Sequence, residues 1–169
     1  DTLRCGNRHV MMGASQIYQF ANQNIACIGQ WEDPMSQLLG GRGAPGNTIN
    51  LVTRYWVPNH NARAVVAAVE MVSGVGYDRA AALGPASSRF HEIRRVVTNL
   101  GVFDFDTPDH RMRLVSLQPG VELQHVLDNT GFELVLPEGV DITPVPTPDM
   151  VGVLRELDPQ GYAQKEVIV

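Results

Sequence analysis

An α/β domain is the fold class this sequence predicts, and three observations predict it. Short apolar runs rich in β-branched residues recur between turn residues from His9 to Leu117. Two later stretches space their apolar residues like one face of a helix. Between the second and third strand candidates stands a glycine-rich run, Gly40-Gly41-Arg42-Gly43-Ala44-Pro45-Gly46-Asn47-Thr48.

The elements follow in chain order. His9-Val-Met-Met-Gly13 reads as a buried strand and Ile25-Ala-Cys-Ile-Gly29 as a second. The segment between them is polar but nearly uncharged, holding Gln16, Gln19, Asn22, Gln23 and Asn24. Met35-Ser-Gln-Leu-Leu39 leads into the glycine run, and a short helix is expected to start near Gly46, capped by Asn47 or Thr48. Arg54-Tyr-Trp-Val57 is a strand stopped by Pro58. In 62–72 alanine favours helix while Val65, Val66, Val69 and Val72 suit strands, and strand is the expectation. Ser73-Gly-Val-Gly-Tyr77 is a second glycine turn. Segments 93–98, 102–105 and 112–117 are further strands, and Val102-Phe-Asp-Phe105 alternates as a half-buried strand should. Residues 121–129 carry a helical stripe at Leu123, Val126 and Leu127, and 131–136 is a strand candidate. Four prolines make 137–148 an extended linker. Thr147 as N-cap, Pro148 in the first turn and Asp149 at the positive dipole end then open a helix to about Leu157. The expected layout is a domain over 1–136, a linker over 137–148 and a helix with its tail over 149–169.

Composition narrows the function. A chain of 169 residues is long enough to bury a sizeable core. Its net charge of −5 argues against nucleic acid and anionic membrane surfaces as partners. No apolar run approaches the roughly 20 residues that span a bilayer, and no signal peptide is seen. Cys5 and Cys27 lie in no CxxC or His-rich cluster, so both read as small core residues in a reducing cytosol. The expectation is a soluble cytoplasmic protein with no metal.

Chemistry concentrates in the glycine run. Glycine loses the most backbone freedom on folding, so four in seven positions point to turns through positive φ or to a ligand close against the peptide groups. Such a loop offers N–H groups to an anion or a carbonyl oxygen, unless it is simply a surface turn. Arg42, inside it, suits bidentate binding of a carboxylate or phosphate. Asn22 and Asn24 either present amide donors or make an Asx turn. The five histidines are scattered, with His60 singled out because Pro58-Asn-His-Asn61 follows a strand end. Asp104 and Asp106 share one face, taken as the wet one, and Arg94 and Arg95 read as strand-edge charges. Nucleophile-elbow, phosphate-loop, zinc-protease and dinucleotide motifs are all missing from the sequence.

The order of motifs resembles the β subunit of class I coenzyme A transferases. Met11-Met-Gly-Ala-Ser-Gln-Ile17 followed by Ala21-Asn-Gln-Asn24 is similar to their Gln and Gly-Asn-x-Asn segment, and Gly41-Arg-Gly-Ala-Pro-Gly-Asn47 to their glycine loop. Val96-Val-Thr-Asn-Leu-Gly-Val-Phe-Asp-Phe105 and Leu117-Gln-Pro-Gly-Val121 through Thr130-Gly-Phe-Glu133 continue the match. Arg54-Tyr-Trp-Val-Pro-Asn-His60 and Val72-Ser-Gly-Val-Gly-Tyr-Asp78 look most like the hydrolase branch, which opens the last steroid rings in bacterial sterol breakdown. The resemblance implies an open, largely parallel α/β sheet with flanking helices, built once per subunit, with the active site between the two.

It also implies roles. In the transferases a β-subunit glutamate attacks the acyl-CoA thioester; it lies upstream of the segment seen here. In the hydrolase branch that glutamate is replaced, and a carboxylate of the α partner positions water. This chain would then supply binding and oxyanion stabilisation through the Gly43 and Ala44 backbone, each donor worth roughly 2.7–4 kcal/mol. Gln16, Asn22, Asn24, Gly41, Arg42 and Asn47 match positions expected to bind substrate or coenzyme A. Tyr18 stands where the family often has Asp, and Ala21 replaces the glycine before Asn22. The expected function is the β subunit of a heteromeric acyl-CoA enzyme, opening a carbocyclic ring by hydrolysis. A CoA transferase and a non-catalytic partner of the α subunit are the alternatives. The coenzyme A thioester is substrate, and no cofactor is permanently bound.

Overall fold

A computed structural model describes residues 8–165; Cys5 lies outside them. The strands are β1 (His9–Gly13), β2 (Gln16–Ile17), β3 (Gln23–Asn24), β4 (Cys27–Gly29), β5 (Pro34–Gln37), β6 (Val52–Val57), β7 (Glu92–Thr98), β8 (Gly101–Asp104), β9 (Arg113–Leu117) and β10 (Asp141–Ile142). The helices are α1 (Ala44–Asn50), α2 (Tyr77–Ala82), α3 (Pro85–Ser88), α4 (Leu123–Asp128), α5 (Pro148–Leu157) and α6 (Tyr162–Lys165).

A six-stranded sheet in the order β1-β6-β7-β8-β9-β10 carries the fold. β1 runs parallel to β6, from His9↔Val52 to Gly13↔Trp56, and β6 runs parallel to β7. Two antiparallel pairings follow, β7 with β8 and β8 with β9, before β10 closes the sheet parallel to β9. The sheet is therefore mixed, with its parallel half at the end that bears the glycine loop. The alternation read in Val102-Phe-Asp-Phe105 has a different meaning here, because Phe103, Asp104 and Phe105 are all buried. Tyr55, Ile93, Val96, Phe103 and Leu114 fill the core, each essentially inaccessible and worth about 1.5–3 kcal/mol of burial for the aliphatic and Phe side chains.

Four expectations about strands change. β1 is not a buried strand; it is a sheet edge with His9, Met11 and Gly13 exposed. Residues 25–29 give only the short β4, which pairs with β5 in a separate hairpin. Segment 62–72 is no strand, apart from a single bridge between Ile17 and Val65, because its backbone turns at Asn61, whose side chain accepts from the Arg63 and Ala64 N–H groups. Segment 131–136 likewise makes only one bridge, Val135 to Arg113. Within 137–148, β10 joins the sheet edge. At α5 Thr147 Oγ1 accepts from Met150 N at 3.3 Å, the cap read from the sequence.

Ala21, where a glycine was expected, is buried with φ 68°. An L-residue pays about 1–2 kcal/mol in that conformation. Its neighbours impose it: the Ala21 N–H donates to Tyr18 O at 2.7 Å, and Tyr77 N donates to Phe20 O at 2.8 Å. Gly76 packs so tightly on this turn that a Cβ there would collide with the Phe20 carbonyl oxygen and sit 2.5 Å from Asn22 N. Gly76→Ala should therefore cost about 3 kcal/mol, against under about 0.5 kcal/mol for the open Gly139→Ala. Urea unfolding of the two variants checks this.

Candidate functional site

Parallel strands deliver their carboxyl ends to one edge of the sheet, where α/β folds place ligands. β1 ends at Gly13 and β6 at Val57, and the segments leaving them border two adjacent hollows. The smaller, about 350 Å³, is lined by Met11, Met12, Gly13, Ile25, Asn47 and the Gly41–Ala44 stretch. The larger is a groove of about 760 Å³ bordered by Ala14, Ser15 and Gln16 on one side and by Pro58, Asn59 and Asn61 on another. The structure thus brings Gly41, Arg42, Gly43, Ala44 and Asn47 together in one hollow and places Gln16 in the other.

The glycine loop is built differently from its sequence reading. Only Gly40, at φ 84°, uses a positive φ among its four glycines; the adjoining left-handed residue is Arg42, at 45°. The helix begins at Ala44 with Gly43 as an uncapped N-cap, because Pro45 is already fixed near helical φ. Asn47 and Thr48 are therefore inside α1 and cannot cap it. Thr48 Oγ1 instead donates to Ala44 O at 3.0 Å and accepts from Val75 N at 3.2 Å. The Ala44 N–H donates to Gly41 O at 2.9 Å, so it is spent within the turn and is not free for an oxyanion. Gly43 N–H, with Arg42 N–H beside it, makes no hydrogen bond among the described residues. Both residues are exposed, and the Arg42 guanidinium meets no carboxylate there. Asn47 Nδ2 contacts Met12 Sδ at 3.4 Å.

Gln16, Asn22 and Asn24 are buried and bonded within the chain. Asn24 Nδ2 donates to both Gln16 Oε1 and Cys27 O at 2.7 Å, while its Oδ1 accepts from Ala26 N at 3.0 Å, an Asx turn. Asn22 donates to Asp78 Oδ1 and accepts from Gly76 N, each at 2.8 Å. These asparagines brace the turns behind the hollows. Gln16 Nε2 reaches Glu70 Oε2 at 3.2 Å. Glu70, with Arg63, lines the groove, and the sequence reading passed over both because it took 62–72 for a strand. One signal was available: Glu70 is the lone acid in the apolar run Ala-Ala-Val-Glu-Met-Val.

Other candidates resolve as framework. Asp104 is buried beneath Arg113, which binds it through two nitrogens at 2.9 and 2.8 Å, with Arg95 at 3.4 Å; only Asp106 is on the wet face. β7, which carries Arg94 and Arg95, is an interior strand, so neither guards an edge. His60 lies between Thr98 Oγ1 at 3.2 Å and Thr130 Oγ1 at 3.1 Å. Burial first, then the His125 charge, lowers its pKa to about 4. It is neutral and structural. Among the described residues no three His, Cys, Asp or Glu side chains cluster as metal ligands, and no helix is long and apolar enough to cross a membrane.

Comparison with known proteins places this arrangement. No family model matches the chain. The cholesterol ring-cleaving hydrolase IpdB subunit of Rhodococcus jostii (strain RHA1) is 48% identical over 170 residues, covering 100% of this chain and 67% of that protein. The crystal structure of Rhodococcus jostii RHA1 IpdAB superposes with a TM-score of 0.90 over 97% of this chain and 66% of that one, at 48% identity. This chain belongs to the IpdB branch of the coenzyme A-transferase family. One subunit of the glutaconate CoA-transferase of Acidaminococcus fermentans is more distant, 28% identical over 97% of this chain and 63% of that protein. The chain spans about two thirds of the length of the IpdB relatives.

The buried imidazole has a measurable consequence. A folded-state pKa near 4 against an ordinary 6.5 means the unfolded chain takes up the proton first. The contribution is therefore complete above about pH 6.5 and is lost as pH falls toward 4, a change of about 3 kcal/mol. His91, also lowered chiefly by burial, acts in the same direction. Urea unfolding at pH 7 and pH 4.5 should show the loss, and His60→Gln should flatten the slope. A variant slope equal to the parent's would remove His60 as its source.

Proposed function

We propose that this chain is the β-type part of a heteromeric acyl-CoA hydrolase that opens a carbocyclic ring of a steroid-derived keto acyl-CoA. The 48% identity across its whole length with a cholesterol ring-cleaving hydrolase subunit carries this reading. An α subunit is the partner, the coenzyme A thioester is substrate, and the compartment is the cytoplasm. A carboxylate of the α subunit takes a proton from water, and the hydroxide adds to a ring carbonyl. The carbon–carbon bond then breaks, leaving a new carboxylic acid and an electron pair delocalised as an enolate, which takes the proton back on carbon. The fixed N–H of Gly43, seconded by Arg42, faces that developing negative charge; Gly41 and Asn47 shape the same hollow. The transferase alternative rests on the more distant glutaconate enzyme.

The test is co-expression with the α partner and assay of a cyclic keto acyl-CoA. Incorporation of water into a ring-opened product supports the reading. Movement of CoA to an added carboxylic acid supports a transferase, and a stable complex with no turnover supports a non-catalytic role. Gly43 has φ −82°, which valine tolerates, but a Cβ there stands 3.2 Å from Asn47 Nδ2, beside the free amide. Gly43→Val should lower kcat/KM at least about 100-fold while the complex still assembles. A rate within about threefold of the parent would remove the loop from the mechanism.

A further inference from the structure

The Gln16 side chain is the hub of a hydrogen-bond circuit around β4. Asn24 ties Gln16 Oε1 to Cys27 O at one end of that strand, with both contacts at 2.7 Å. Glu70 Oε2 closes the other end, accepting from Gln16 Nε2 at 3.2 Å and from Gly29 N at 2.8 Å. The base of the β4–β5 hairpin is held independently, by Leu38 N to Ala26 O and Gly40 N to Ile25 O, each at 3.0 Å. Its far end has Glu70. Gly29 permits the tight turn there, with φ 92° and no room for a Cβ, which would sit 2.9 Å from Met35 N. The hairpin presents Ile28 and Met35 to the groove, which Val57, Pro58, Ala64 and Val66 also line. Met35 is 80% exposed, and beside these residues it extends one contiguous apolar patch along the groove.

Size and chemistry indicate the occupant. The loop hollow of about 350 Å³ is lined by polar and apolar surface in equal measure, and its free Gly43 amide suits a thioester and its charge. The adjoining groove, about 760 Å³ and mainly apolar, matches a drug-sized alicyclic ligand. Resting on the acyl-CoA reading above, we propose that this groove takes the apolar ring system of the acyl group and that Glu70 is its positioning residue, fixing the β4–β5 hairpin as a wall. Glu70 acts through Gly29 and Gln16 and selects bulky over small acyl groups.

The experiment uses the assembled complex with the α subunit and two unreactive thioether analogues of acyl-CoA, one bicyclic and one acetyl-sized, titrated by calorimetry. Glu70→Ala should weaken the bicyclic analogue about tenfold and leave the acetyl analogue within about twofold. It should also speed hydrogen exchange at the Gly29 amide, and Glu70→Gln, which keeps an acceptor oxygen, should restore most of both. Equal losses for the two analogues, an unchanged bicyclic affinity or an unchanged Gly29 exchange would each overturn the assignment. A parent complex that binds the bicyclic analogue but never opens the ring of a cyclic keto acyl-CoA would sink the hydrolase reading and support the groove. A parent complex that binds neither analogue overturns both.

Discussion

Parallel pairing of β1 with β6 is the constraint on which the rest depends. Two parallel strands cannot be joined by a tight turn; the chain must cross over and return. Here the crossover carries the β2–β3 pair, the β4–β5 hairpin, the glycine loop and α1, all between Gly13 and Val52. That excursion returns the polypeptide to the sheet with both carboxyl ends side by side. The two hollows follow from it, because one borders the loop that starts the crossover helix and the other borders the segments leaving the strands. A shift of register would carry Gly13 away from Trp56 and separate loop from groove.

Strong local signals were legible in the sequence. Val102-Phe-Asp-Phe105 and the run ending at Thr98 read as strands because β-branched and aromatic residues bounded by turns have few other uses. The Thr147-Pro148-Asp149 signature named its helix correctly because capping is a contact between near neighbours. What failed was information set at long range. The four valines of 62–72 look like a strand, yet that segment is fixed by contacts with Ile17 and Gly131, distant in sequence. Asp104 looked wet because its alternation is that of a half-exposed strand, and nothing local reveals that Arg113 covers it.

The site divides in the same way. The glycine loop was found because its composition is costly unless the backbone itself is used. Which amide is free was not legible, since that depends on the turn closed between Ala44 N and Gly41 O. The polar segment 16–24 was read as ligand-facing; folding turned most of it inward, where amide groups stiffen the turns supporting the hollows. Glu70 stands out locally as a lone acid in an apolar run, but its role is not legible, because its partners, Gln16 and Gly29, are 54 and 41 residues away.

Asn24 carries an implication for chemical ageing. Both of its amide hydrogens point at oxygens, those of Gln16 and Cys27, so hydrolysis of the amide to an acid would set a negative charge against two acceptors. The usual route to that damage begins with attack by the next backbone nitrogen on the side-chain carbonyl. The Ile25 nitrogen is held by Ser73 Oγ at 3.1 Å, so the geometry that makes deamidation ruinous also withholds the nucleophile that would start it.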